Sequence, residues 1–289
     1  MDDLNDKSIV IVTGAAGMLG AALMGLAPTT VRAVGVDIAD GDLSTDEGIA
    51  SALGRYEPAV VIHCAGYTDV EGATRNPQLA HRHNAVATEK VAAFCAERGA
   101  ELIYISTDYV FDGTKGEPYT EEDRPNPINA YGESKLAGEQ AVQRIAGEWL
   151  IVRTQWLFGP GGRNFVAALV NRARQESQVQ GVVDEIGSPT YTRDIARALW
   201  QLVERPVSGI IHLTNSGYCS RAELARVALD AAGLIEVPIT EISRADWDSP
   251  TQRPAFSVLD NRRWAALGFT PLRPWREAVG HYVRTYLAA

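Results

Sequence analysis

The sequence predicts an α/β protein built on a doubly wound parallel sheet with a smaller C-terminal lobe. Two observations carry this. Apolar runs at residues 8–12, 31–36, 59–64, 101–106 and 149–153 alternate with helical patterns. Those runs are continuous stretches rich in Val and Ile, without polar alternation, as expected of strands covered on both faces.

The first run leads into Thr13-Gly14-Ala15-Ala16-Gly17-Met18-Leu19-Gly20, which opens a helix. Gly14 and Gly17 allow a tight turn and let backbone approach a pyrophosphate at the helix N-terminus, with Met18 and Leu19 opening the helix. Gly20 lets helix and strand pack closely. A tight strand-to-helix turn would need the same glycines, so the context decides. The second strand ends at Asp37, where a carboxylate accepts hydrogen bonds from the ribose hydroxyls of an adenosine. The same charge repels a 2′-phosphate, so the expected cofactor is NADH or NADPH, with NADH favoured, in a Rossmann-type site. Asp40 and Asp42 leave open which carboxylate matters; Asp42 and Leu43 are candidates for the adenine pocket. The third strand ends in His63-Cys64-Ala65-Gly66-Tyr67, and Ala65, Gly66 and Tyr67 are small or flat enough for a cofactor to lie across them. His63 reads as a packed residue.

Asn76-Pro77 predicts an N-cap and first-turn proline for a long helix ending near Gly99. The fourth strand ends in Ser106-Thr107-Asp108-Tyr109, and about 25 residues later Tyr131-Gly132-Glu133-Ser134-Lys135 begins another helix. Tyr131 and Lys135 share one helical face. An ammonium held there lowers the pKa of a phenol, which lets Tyr131 trade a proton with a carbonyl oxygen. Thr107, preferred to Ser106, projects into the same crevice and can bond the same oxygen. The alternative is that these hydroxyls satisfy loop backbone.

Beyond residue 156 the pattern loosens. Strands are expected near 179–184 and 209–214, and helices near 192–203, 261–267 and 274–286. Ser220-Arg221-Ala222-Glu223 is a capping box for a helix ending at Gly233. The expected division is 1–156 as dinucleotide-binding domain, with the strands near 179–184 and 209–214 returning to it in one arrangement, and 157–289 as mainly the second lobe.

Composition excludes several classes. A formal charge of -9 and no basic face argue against a nucleic-acid partner. Three cysteines without metal-ligand spacing read as packing residues and fit a reducing compartment. The polar start MDDLNDKS shows no signal region, and no run reaches the length of a membrane span, so a cytoplasmic protein is expected.

In order and spacing, the segments TGAAGMLG, CAGYTDVEGAT, the Asn84 region, STDYVFDG, YGESKLAGE, RTQWLFGPGGRNFV, GSPTYTRDIA and RPAFSVLD resemble an extended short-chain dehydrogenase/reductase, more narrowly the dTDP-4-dehydrorhamnose reductase family. The resemblance implies a bilobal Rossmann enzyme whose second lobe binds substrate. The implied reaction is NAD(P)H-dependent reduction of the 4-keto group of a nucleotide-linked 6-deoxyhexose, with dTDP-4-dehydrorhamnose to dTDP-rhamnose as the leading reading. Tyr131 becomes the acid, Lys135 holds the nicotinamide ribose, and Thr107 orients the carbonyl. Val70, Tyr109 and Trp156 become the sugar pocket, the aromatics as flat walls. Asn164, Pro189 and Arg253 become nucleotide-sugar contacts. Sister dehydratases carry Thr-Asp-Glu where this chain has Thr107-Asp108-Tyr109, which disfavours elimination of water. Sister epimerases usually show a Ser-Ser/Thr-x-x-Tyr-Gly pattern at this strand end, where the chain runs into Val110-Phe111-Asp112-Gly113. Ala15, Ala16 and Met18 offer no acidic group to bridge a dimer through a metal, so no metal is expected, and a homodimer stays open. The alternatives are a ketoreductase of another NDP-4-keto-deoxysugar in a specialised pathway, and a non-catalytic regulatory subunit derived from this family.

Overall fold

A computed structural model describes residues 8–287; most of the polar N-terminal stretch read above, residues 1–7, lies outside the described residues. Six strands, β1 (Ile9–Thr13), β2 (Arg32–Val36), β3 (Val60–His63), β4 (Glu101–Thr107), β5 (Trp149–Thr154) and β6 (Gly209–His212), form one parallel sheet in the order β2-β1-β3-β4-β5-β6. Alternate side chains explain the unbroken apolar runs. Val10, Val12, Ile62, Ile103, Ile105, Leu150, Val152 and Ile211 pack on one face with Leu19 and Leu23 and with Leu199 and Trp200. Ile11, Val61, Leu102, Tyr104 and Ile151 pack on the other with Val91, Phe94, Cys95 and Val142. A sheet sandwiched this way buries the inner strands β1, β3, β4 and β5 almost throughout, so polar alternation is absent there.

The order reverses at β1, with β2 on one side and β3 on the other. A crevice therefore opens outside the carboxyl ends of these strands. The chain supplies β6 after a long excursion, and the Thr192–Glu204 helix returns to pack on the glycine-loop helix, with Trp200 Nε1 donating to the Leu23 carbonyl at 3.1 Å. The segment near 179–184 does not enter the sheet. Val179–Val182 pairs in parallel with Ile239–Ile242, and Val179 belongs to a second core with Phe158, Leu169, Tyr191, Leu224 and Tyr282.

The predicted caps form. The Asn76 side chain accepts from Leu79 N, and Ser220 and Glu223 make both halves of the capping box. The long helix is less regular than its sequence suggests. Between Pro77–His81 and Ala87–Arg98 it widens into a π-helical turn, Arg82–Val86, before ending at Gly99 with φ 63°. Such turns are frequent at functional sites, and this one carries the buried Asn84, whose side chain bonds the Tyr67 backbone. No helix of the described residues is long and apolar enough to cross a membrane.

Candidate active site

The crevice is a cleft of about 730 Å³. Of the site residues singled out from the sequence, Gly14, Gly17, Met18, Leu19, Gly20, Asp37, Asp42, Leu43, Ala65, Gly66, Tyr67, Val70, Thr107, Tyr109, Tyr131, Lys135, Trp156 and Arg253 line it. Asn164 does not. Its Oδ1 caps the Phe165–Ala173 helix through Ala167 N, and its amide donates to the Gly159 carbonyl at 2.9 Å and to the Tyr282 hydroxyl at 3.1 Å. Its polar atoms are thus engaged in fixing the loop and the helix start. Pro189 is not among the cleft walls either.

At one end the glycines leave room for nothing but backbone. Gly14 has φ 65°, and a Cβ there would lie 2.8 Å from Ala65; one on Gly20 would lie 2.1 Å from the Gly14 carbonyl oxygen. The Met18–Gly25 helix has no side-chain cap and no acid in its first turn, so its leading N–H groups remain available to an anion. Asp37 is fixed beside them, accepting from Ala16 N and Ile38 N, both at 2.8 Å. Asp40 instead accepts from Asp37 N and shapes the loop. Asp42 lines the cleft, held by Ser44 and Arg82, whose contacts keep its carboxyl below the ordinary range. An anion cradle, a cleft-lining carboxylate and a Cβ-free floor fit a dinucleotide. Asn84 completes this floor: its Oδ1 accepts from Tyr67 N at 2.7 Å while its amide donates to the Tyr67 carbonyl and Ser134 Oγ, both at 2.9 Å. A Cβ on Gly66 would come within 2.8 Å of that Oδ1.

In the middle of the cleft, the Ala130–Ile145 helix is capped by Asn129, whose side chain accepts from Gly132 N at 2.9 Å. Gly132 presses on the turn after β4, where a Cβ would meet the Tyr109 carbonyl oxygen at 2.1 Å. Tyr131 is thereby set edge-on to Tyr109, ring centroids 5.6 Å apart. The expected lowering of its pKa does not occur. Burial pushes the phenol above its ordinary value, with the Thr107 hydroxyl acting in the opposite direction. The Lys135 ammonium donates to the Ile105 carbonyl at 2.7 Å and lies 4.1 Å from the Tyr104 ring centroid, so its charge is directed to the strand. Burial brings Lys135 down to about 7, with Glu139 resisting. Ser106 and Thr107 both line the cleft, and the Ser106 hydroxyl donates to Glu139 at 2.5 Å. His63 is fully buried between Thr13 and Thr88, 2.7 and 3.2 Å away, and burial takes it down to about 3. Cys64 reaches the cleft wall, but burial lifts its thiol to about 12.

Beside Thr107, Asp108 is 1% exposed and accepts from Ser257 Oγ at 2.6 Å, Gln155 Nε2 at 3.0 Å and Thr107 Oγ1 at 3.1 Å. Burial outweighs these bonds and raises its carboxyl to about 6.

The far end holds two arginines. Arg253 is paired with Glu71 at 3.3 Å and donates to Ser249 at 2.8 Å. Arg221, read from the sequence only as part of a capping box, stacks its guanidinium 3.4 Å from the Trp156 ring centroid and pairs with Glu185 at 2.8 Å. One face of Trp156 is thus covered by a cation, so the flat wall expected there is in part a guanidinium. Trp156 is also the one non-glycine with positive φ among the described residues, at 46°, a strained conformation of the kind concentrated at functional sites. Gly187 gives its ring space, since a Cβ there would lie 2.6 Å from it.

A family model described as the RmlD substrate binding domain matches residues 8–288. The chain is 40% identical over 277 residues to a dTDP-4-dehydrorhamnose reductase of Mycobacterium tuberculosis, an alignment covering 93% of this chain and 90% of that one. Among solved structures, dTDP-4-dehydrorhamnose reductase of Bacillus anthracis in complex with NADP superposes with a TM-score of 0.92 at 35% identity, covering 96% of this chain and 98% of that one. The orthologous structure from Clostridium acetobutylicum gives 0.91 at 34% identity, with 95% and 98% covered. Matched along nearly its whole length in sequence and fold, the chain belongs to the dTDP-4-dehydrorhamnose reductase family.

Proposed function

We propose that this protein is an NAD(P)H-dependent reductase of the 4-keto group of a dTDP-linked 6-deoxyhexose, converting dTDP-4-dehydrorhamnose to dTDP-rhamnose. One observation carries the reading: Thr107, Tyr131 and Lys135 line a single cleft, between a dinucleotide cradle and a pair of arginines. Gly14, Gly17 and Gly20 with the helix start would hold the pyrophosphate, Asp37 the adenosine ribose, and Lys135 the nicotinamide ribose. When bound, the nicotinamide supplies hydride to the carbonyl carbon. Tyr131 gives its proton to the carbonyl oxygen as negative charge gathers there. The raised phenol pKa suits this direction, because it keeps the proton in place until an alkoxide forms. Thr107 adds a second donor to that oxygen. Asp37 makes NADH the better cofactor of the two. The three unpaired thiols, two of them buried, suit a reducing cytoplasm.

The test offers a panel of 4-keto sugar nucleotides with NADH and NADPH in turn, follows cofactor absorbance and identifies the sugar formed. Consumption with dTDP-4-dehydrorhamnose is expected; well-folded protein that oxidises neither cofactor with any such sugar would refute the reading. A second prediction concerns Arg221. With Arg253 it would bind the substrate diphosphate, since a guanidinium already fixed by a carboxylate and an indole loses little freedom on binding. Arg221→Ala is expected to raise KM for the sugar nucleotide roughly 10- to 100-fold, the value of a charged hydrogen bond of roughly 1.5–3 kcal/mol. Cofactor Kd, measured by fluorescence, is expected to stay the same.

A further inference from the structure

A hydroxyl has one proton to donate and two lone pairs to accept with. In this structure Thr107 Oγ1 accepts from Tyr109 N at 3.2 Å and donates its proton to Asp108 Oδ1 at 3.1 Å. An ionised carboxylate can only accept, so while Asp108 is charged the Thr107 proton stays on it. Thr107 then turns a lone pair toward the position of the substrate oxygen, and a buried anion stands close to where negative charge must develop. Adding a proton at Asp108 Oδ1 reverses both effects. The carboxylic acid donates to Thr107, whose two lone pairs are then filled by Asp108 and Tyr109 N, and whose own proton is free for the carbonyl. Ser257 and Gln155 keep the other oxygen, Oδ2, fixed at 2.6 and 3.0 Å throughout.

We propose that Asp108 is a positioning residue that sets the direction of the Thr107 hydroxyl, and that reduction runs through the protonated acid. The inference rests on the ketoreductase reading for its chemistry. The charged or titratable groups around Asp108 are Tyr109 on its own turn, Tyr131 from the Ala130–Ile145 helix and Arg221 from the Arg221–Ala231 helix, with Glu185 and Arg253 across Tyr109. Arg221 favours the ionised form, and burial outweighs it. A substrate diphosphate set against Arg221 would weaken that opposition and favour the acid further.

The experiment compares pH profiles of kcat/KM for the wild type, Asp108→Asn and Thr107→Val. The wild type is expected to lose activity as pH rises through about 6, by about tenfold per pH unit beyond the midpoint. Asn keeps an acceptor for Ser257 and Gln155 and gives Thr107 a permanent N–H donor. Asp108→Asn should therefore lose that limb and decline only where Lys135 titrates, at about 7. Thr107→Val should be slower at every pH and also lack the limb, having no hydroxyl to orient. A merely structural Asp108 would lower all points by one factor; persistence of the limb in either variant overturns the proposal. Independently of turnover, carbon NMR of aspartate-labelled protein can follow the carboxyl resonance that disappears in Asp108→Asn. Its midpoint is expected near 6 in the wild type, and higher in Thr107→Val, where a donor to the carboxylate is gone. An unmoved midpoint overturns the coupling. Failure of the wild type to reduce any keto sugar would overturn the ketoreductase reading, and the resonance would still decide the coupling.

Discussion

Tyr131→Phe is expected to slow turnover by a factor on the order of 100 or more while cofactor affinity and thermal stability stay near those of the wild type. The substitution removes the oxygen and keeps the ring. That ring is 9% exposed and packs with Ala73, Ala80, Tyr67, Val70 and Tyr109, contacts that phenylalanine reproduces. Only the proton is lost. In its absence the alkoxide must draw on Thr107 or on water for neutralisation, and both are weaker acids than a phenol. Because burial already holds the phenol protonated, little ground-state binding energy is tied to its ionisation, so kcat should fall far more than KM rises. Cofactor fluorescence and single-turnover kinetics separate the two quantities. Turnover at the wild-type rate would remove Tyr131 as the acid.

Much of this arrangement is legible in the sequence because it depends on short-range spacing. The strand runs sit within a residue or two of β1 to β6, since a strand buried on both faces leaves no ambiguity of hydrophobic pattern. The glycine turn and the four-residue separation of Tyr131 and Lys135 are likewise local. Features set by distant contacts are not visible there. The π turn at Arg82–Val86 has no mark in its residues, yet it aims the Asn84 amide that grips Tyr67. Asn164 before an apolar helical pattern fits a cap as well as a ligand contact, and in the fold the cap wins. Arg221 reads as the first residue after an N-cap, but nothing near it in sequence announces that its guanidinium lies on Trp156. The direction of the Lys135 ammonium is decided by a carbonyl on β4, which helix periodicity alone does not predict.

The largest expected loss of stability comes from a residue that touches no ligand. Arg153 on β5 and Glu139 on the Ala130–Ile145 helix have side chains 2% and 1% exposed, joined by bonds from Nε at 2.9 Å and Nη2 at 2.7 Å. Arg153 Nη1 is buried without a partner among the described residues, although the guanidinium lies 5.1 Å from the Phe111 ring centroid. Glu139→Ala leaves this charge unpaired in the core and is expected to cost about 3–5 kcal/mol, measured by urea unfolding. The pair itself contributes much less than that figure, because each ion gave up its hydration to form it. Replacing both partners, as in Glu139→Leu with Arg153→Met, should therefore recover most of the loss; a double variant as unstable as the single one would contradict this account. Activity should not return with stability. Glu139 is the carboxylate that holds the Lys135 pKa up against burial, so without it the lysine loses its charge at lower pH. The decline of kcat/KM that follows Lys135 should then begin below about 7 in the stable double variant, which makes the buried pair a support for the Lys135 charge as well as for the sheet.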